Sequence, residues 1–209
     1  MKKRIGRFAA ALCICLIFLT GCGEAKMPET VDSQTIFISK EGQITLWLVM
    51  ELMGAGDYEL SELTQMAVEE AAQFNEGRTQ GAAVAVEKVE ALANGNAAVT
   101  YKFDNWKNCT EFIGNDLFYG TNELFYGTVI EAIAAGYGSK VIMKSVKDNT
   151  LFTEEQLRQA VDKYLIVTDV KANVYCPGRV AYLSDGAVVN EDGSVSTFGV
   201  EGLAYILLK

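Results

Sequence analysis

The order of apolar and polar positions divides the chain into three parts. Residues 2–7 (KKRIGR) hold four positive charges, and residues 8–19 (FAAALCICLIFL) form an unbroken apolar run of twelve. Residues 23–33 (GEAKMPETVDS) are polar and have no period. From Ser33 onward the pattern alternates between strand and helix periods. Ile36-Phe37-Ile38 and Ile44-Thr45-Leu46-Trp47-Leu48 flank Lys40-Glu41-Gly42-Gln43, which predicts a hairpin with Gly42 available for a positive φ. Ile44, Leu46 and Leu48 share one face of the second strand, with Thr45 and Trp47 on the other.

A helix is predicted from Asp57 or Ser61 to about Phe74. Leu60, Leu63, Ala67, Ala71 and Phe74 recur at three- and four-residue steps and make one stripe. Glu62, Glu69 and Glu76 occupy a different face and read as solvated surface rather than as a metal or acid–base set. Asn94-Gly95 predicts a second hairpin with a type I′ turn, whose outgoing strand puts Val99, Tyr101 and Phe103 on one side. Residues 104–116 are ambiguous and compatible with a short helix. A near-repeat follows, LFYGT at 117–121 and again at 124–128, with a period too short for a solenoid unit.

Thr153-Glu154-Glu155-Gln156 is a capping box, with Phe152 and Leu157 at the two hydrophobic-staple positions. The helix it opens is expected to run to about Lys163. The remainder is strand-rich. Residues 180–183 are expected to pair with 187–189 across Ser184-Asp185-Gly186. A turn at Glu191-Asp192-Gly193 leads to 195–198, and 203–208 is a short, almost wholly apolar strand. These elements predict an α+β fold of antiparallel hairpins with two main helices and a strand-rich C-terminal part. Residues 34–209 form one domain on this reading, with two packed lobes divided near residue 150 as the alternative.

The N-terminal pattern carries an address. A membrane-spanning helix needs about 20 apolar residues, and a run of twelve after a basic start has the length of a signal-peptide core. Leu19-Thr20-Gly21-Cys22 stands at the end of that run and looks like a bacterial lipobox. The resemblance implies cleavage after residue 21 and a diacylglyceryl, palmitate-type lipid on the Cys22 sulfur. It places the protein on the extracellular face of the cell membrane, with 22–33 as lipidated cysteine and flexible tether. Lipobox, Lys-Glu-Gly hairpin, acidic helix, Asn-Gly hairpin and Asp-Gly strands, together with Thr35–Thr45 (TIFISKEGQIT), resemble a group of uncharacterised lipoproteins of anaerobic Gram-positive bacteria. The resemblance is one of layout over most of the chain. It implies an outer-face anchor and carries over no catalytic residues.

Processing changes the charge. The 209 residues hold 27 acidic and 18 basic side chains and no histidine. Residues 1–21 carry four of the basic groups and none of the acidic ones, so the body keeps 14 against 27, a formal −13. A nucleic-acid partner would need a basic face, so none is expected. An acidic body is also repelled by an anionic membrane surface, which leaves the two acyl chains at Cys22 to hold it by hydrophobic insertion.

Without histidine, Ser-His-Asp and Cys-His catalysis and His-ligated metals drop out. No G-x-S-x-G, S-x-x-K or P-loop motif occurs. Asn190 to Glu201 imitates a calcium loop, but its sixth residue is Val195 where that loop needs glycine. No metal or cofactor is expected. Two features invite chemistry. Trp106, Tyr119 and Tyr126, in an aromatic-rich stretch with interspersed Asn, Asp and Thr, are candidates for a ligand platform against an ordinary core role. Glu131, if buried, would gain acid–base capacity through a raised pKa, against an outward place on an amphipathic element. Cys109 and Cys176 are candidates for a disulfide closing a loop of about 67 residues, or for two buried thiols.

These readings favour a lipid-anchored surface module, non-enzymatic and binding, adhesive or structural, whose partner is an extracellular ligand or protein. The alternatives are a carboxylate-dependent hydrolase of extracellular glycan or peptide, needing two acids about 5 to 9.5 Å apart, and an accessory subunit of a membrane complex.

Overall fold

The longest apolar alternation in the chain forms an interior strand of one of the two sheets. Ile44–Glu51 buries Ile44, Leu46 and Leu48 on one face, and its neighbours follow from the turns at either end. The computed structural model describes residues 26–51, 59–79, 81–114, 123–139 and 141–209. In chain order the elements are β1 (Thr35–Ile38), β2 (Ile44–Glu51), α1 (Leu60–Asn75), β3 (Val84–Ala91), β4 (Asn96–Phe103), α2 (Trp106–Gly114), β5 (Leu124–Thr128), α3 (Val129–Ala134), β6 (Met143–Ser145), β7 (Leu151–Phe152), α4 (Glu154–Gln159), β8 (Tyr164–Thr168), β9 (Asn173–Tyr175), β10 (Val180–Ser184), β11 (Val188–Val189), β12 (Val195–Ser196) and β13 (Ala204–Leu208). The fold is α+β, with its C-terminal part rich in strands.

The strands form two sheets. The first runs β11-β12-β9-β1-β2-β4-β3 and the second β5-β8-β13-β10-β6-β7. All recorded pairings are antiparallel except β1 with β9. Hydrophobic burial joins the sheets. Ile36, Ile38, Ile44 and Leu46 of the first sheet share one core with Leu124, Ile166, Ile206 and Leu208 of the second. The opposite face of the second sheet carries Phe125, Leu165, Val167 and Leu207, which pack with Val129 and Ala132 of α3 and Leu157 of α4. β13 is therefore covered on both faces, which is why its sequence is almost wholly apolar.

Three hairpin turns use one device. In Ser39–Gln43, Leu92–Asn96 and Asn190–Ser194 the glycine amide donates to the carbonyl three residues back, and the first residue's amide donates to the carbonyl of the residue after the glycine. Gly42, Gly95 and Gly193 have φ of 83°, 87° and 86°. This is the three-residue loop closed by a left-handed glycine. The turn at Asn94-Gly95 is thus not type I′, because that type needs positive φ at both central residues and Asn94 does not have it. The Asn190–Ser194 turn accounts for the calcium-loop imitation: Asp192 accepts from the Ser194 amide and hydroxyl.

The helices depart from expectation in number and length. α1 begins at Leu60, capped by Glu59, with Glu62 returning to the Glu59 amide. Leu63, Ala67 and Ala71 are buried, and Leu60 at the end of the stripe is exposed. α4 has the expected capping box, Thr153 N–H donating to Gln156 Oε1 at 2.8 Å, and both staple residues are buried. It ends at Gln159 rather than Lys163, because Lys163 N–H already turns back to the Ala160 carbonyl before β8. α2 fills the ambiguous stretch. α3 was not anticipated and is opened by a Thr128–Glu131 capping box.

One expected hairpin is replaced by a crossing. β10 stays in the second sheet between β13 and β6, while β11 pairs with β12 at the edge of the first. The chain changes sheets at Ser184–Ala187, where Gly186 has φ of 82°. A Cβ there would lie 2.3 Å from the Gly199 carbonyl oxygen, so only glycine lets the two backbones pass. Residue 150 lies inside the β6–β7 hairpin, whose turn holds Asn149 at φ 59°.

Candidate functional site

The crossing at Gly186 leaves a recess between the edge strand β11 of the first sheet and the β6–β10 part of the second. Its volume is about 830 Å³. The β6–β7 hairpin, the start and end of β10, the edge strand β11 and the chain after β13 contribute to its lining. Val146, Val188 and Val189 present exposed apolar surface. Around them stand Lys144, Lys147, Arg179 and Lys209, with Asp185 as the one carboxylate side chain of the lining. Lys144 and Asp185 pair at 2.6 Å. That hydrogen bond and charge hold the Asp185 carboxyl below the usual carboxylate range. With one carboxylate side chain in its lining, already paired, the recess does not supply the two facing acid side chains of a carboxylate-dependent hydrolase.

The residues singled out from sequence lie elsewhere. Cys22 and Tyr119 fall outside the described residues. Trp106 opens α2 half-buried and meets Phe125 edge-on at 4.9 Å. Tyr126 stacks on Tyr164 at 5.4 Å, and its hydroxyl pKa is pushed up to about 12, first by burial and then by Tyr164. Phe125 and Tyr126 are consecutive in β5 and so point to opposite faces of the second sheet. Trp106 sits against the first of them and Tyr126 leaves on the other side. The structure does not bring these two rings into one platform.

Glu131 is exposed at the third position of α3. It accepts from the Thr128 amide and hydroxyl, both at 2.7 Å. These two bonds, the side-chain one first, lower its pKa, the opposite of what an acid–base role by burial would need. Its place is that of a cap. Cys109 and Cys176 are buried free thiols. Burial raises both, Cys176 to about 12. The Cys176 thiol donates weakly to the Val174 carbonyl at 3.7 Å.

Among the described residues no helix is long and apolar enough to cross a membrane, and no group of three potential ligands is placed to hold a metal. Comparison with family descriptions, with curated proteins and with solved structures returns no match.

The recess was not visible in the sequence. Its cations come from positions 144, 147, 179 and 209, which no local motif links. The nearest signal was the Ser184-Asp185-Gly186 turn, which marks its floor but reads equally as a hairpin.

Proposed function

We propose that this chain is a lipid-anchored, extracellular-face lipoprotein that acts as a non-enzymatic binding module, with the recess between β11 and the β6–β10 part of the second sheet as its ligand site. One observation carries the binding half: an open recess of about 830 Å³ that combines exposed valines with charged groups, the mixture by which ligand sites supply both area and orientation. The anchoring half is supported by the sequence Leu19-Thr20-Gly21-Cys22 after a twelve-residue apolar run.

Each half has its own test. Labelled palmitate supplied to cells expressing the full chain should enter the protein, and Cys22→Ala should abolish the label and release the protein from the membrane fraction. Label retained in the Cys22→Ala protein overturns the anchor. A small-fragment screen by amide chemical shifts on the full chain in nanodiscs should gather hits around Val188 and Lys147. Hits scattered elsewhere, with none in the recess, overturn the binding site.

A further inference from the structure

We infer that the recess takes an amphipathic organic anion, a phosphate or carboxylate on an apolar body. This rests on the recess being a ligand site, and the charge distribution carries it further. The chain has 27 acidic and 18 basic side chains, yet the side chains lining the recess include four cations and one acid. Among the side chains of this recess the molecule's acid excess is inverted.

Backbone pairing explains how the inversion arises. β10 lies between β13 and β6. The Lys209 amide donates to the Arg179 carbonyl at 2.8 Å, and the Val146 amide donates to the Ala181 carbonyl at 3.1 Å. Lys147 and Lys209 therefore flank the start of β10 from its two neighbours, with Arg179 between them. Adjacent strands are about 4.8 Å apart, so each of these lysines is carried one strand spacing from the backbone at the start of β10 that bears Arg179. Their mutual repulsion is relieved by an anion.

The pairing of the other groups leaves this face cationic. Lys144 is neutralised by Asp185, and Arg179 is itself partnered. Lys147 and Lys209 form no ion pair among the described residues. Lys147 faces Asp148, the next residue, whose pKa is lowered first by hydrogen bonds from Thr150 and Ser145 and last by the Lys147 charge. Val188 and Val189 of the edge strand β11 and Val146 beyond β6 line the same recess and are exposed, enough to cover a short hydrocarbon body. One cavity thus offers cationic groups for a head and apolar side chains for a body.

The test uses the full lipidated chain in phosphatidylcholine nanodiscs, titrated with butyl phosphate, butanoate, inorganic phosphate, butanol and butylammonium and followed by amide shifts around Val188 and Lys147. Butyl phosphate or butanoate should bind more tightly than inorganic phosphate and than butanol. Which of the two binds better assigns the head group. Lys147→Gln with Lys209→Gln should weaken that binding about five- to tenfold, the scale of two solvent-exposed ion pairs. Val188→Thr should weaken butyl phosphate while leaving inorganic phosphate unchanged. Butanol or butylammonium binding as well as the anions, or an unchanged affinity in the double variant with its amide spectrum intact, overturns the anion assignment and leaves the recess as a ligand site. Absence of any shift in the recess with all five probes overturns both.

Discussion

Alanine at Gly186 is expected to destabilise the protein more than alanine at Gly193 or Gly199, and the three positions separate two costs. Gly193 has φ of +86° with nothing within 4 Å of an added Cβ. Gly193→Ala therefore meets backbone strain alone, about 1–2 kcal/mol for a left-handed residue, partly offset by about 0.4–1 kcal/mol from the stiffer unfolded chain. At Gly199 a Cβ would lie 2.8 Å from the Gly186 carbonyl oxygen. Gly199→Ala meets crowding alone, about 1–3 kcal/mol before the same offset. Gly186 combines both, with φ of +82° and a Cβ 2.3 Å from the Gly199 oxygen. Neither atom is the end of a flexible side chain, so relief requires the two backbones to separate. Gly186→Ala should then cost about 2–4 kcal/mol. Urea unfolding at pH 7, followed by tryptophan fluorescence, measures all three, with the midpoint compared at constant m. A Gly186→Ala protein within about 0.5 kcal/mol of Gly193→Ala would refute the close crossing.

Three further outcomes are expected. Thr100 Oγ1 is buried without a hydrogen-bond partner, so Thr100→Val should raise stability by about 1 kcal/mol in the same urea assay, and a loss would show the hydroxyl is satisfied. Cys109 and Cys176 are buried with raised thiol pKa values, so at pH 8 a thiol reagent should label them only at the rate of unfolding, and rapid labelling of folded protein would refute their burial. Glu131 has a folded pKa below its unfolded one through its Thr128 bonds. Its stabilisation is therefore full above the ordinary carboxylate value of about 4.3 and is lost as pH falls through the folded value. Glu131→Gln should lower the urea midpoint at pH 7 and narrow that difference at pH 3, and an equal difference at both would show that the charge contributes nothing.

What was legible in the sequence was what neighbours in sequence decide. The Thr153–Gln156 box and its Phe152–Leu157 staple lie within six residues, and they appear as read. The glycine turns at 42, 95 and 193 are where the sequence put them, although Asn94 keeps a negative φ because the left-handed-glycine loop satisfies the strands without a second strained residue. The end of α4 was overestimated because its polar face continues past Gln159, while the chain must turn to enter β8. Residues 180–184 do form a strand, but its partners differ from the expected ones for another reason. A Gly-containing turn between two apolar runs is the local signature of a hairpin, but Leu183 finds Ile206 and Lys144 as register partners, and those are distant in sequence.

The same distance hides the recess and gives it meaning. Net charge is a sum, and a sum of −9 conceals four cations gathered from 144, 147, 179 and 209. Gathering them requires β6 and β13 to flank β10, which in turn requires the chain to leave the second sheet at Gly186 rather than fold back on itself. One glycine crossing therefore sets both the topology and the electrostatics of the site. A cationic concavity within an acidic body focuses its field at the opening. On the proposed reading the acidic exterior keeps the tethered body off an anionic bilayer, and the concavity then draws anionic solutes from the surroundings instead of being occupied by the membrane that holds the protein.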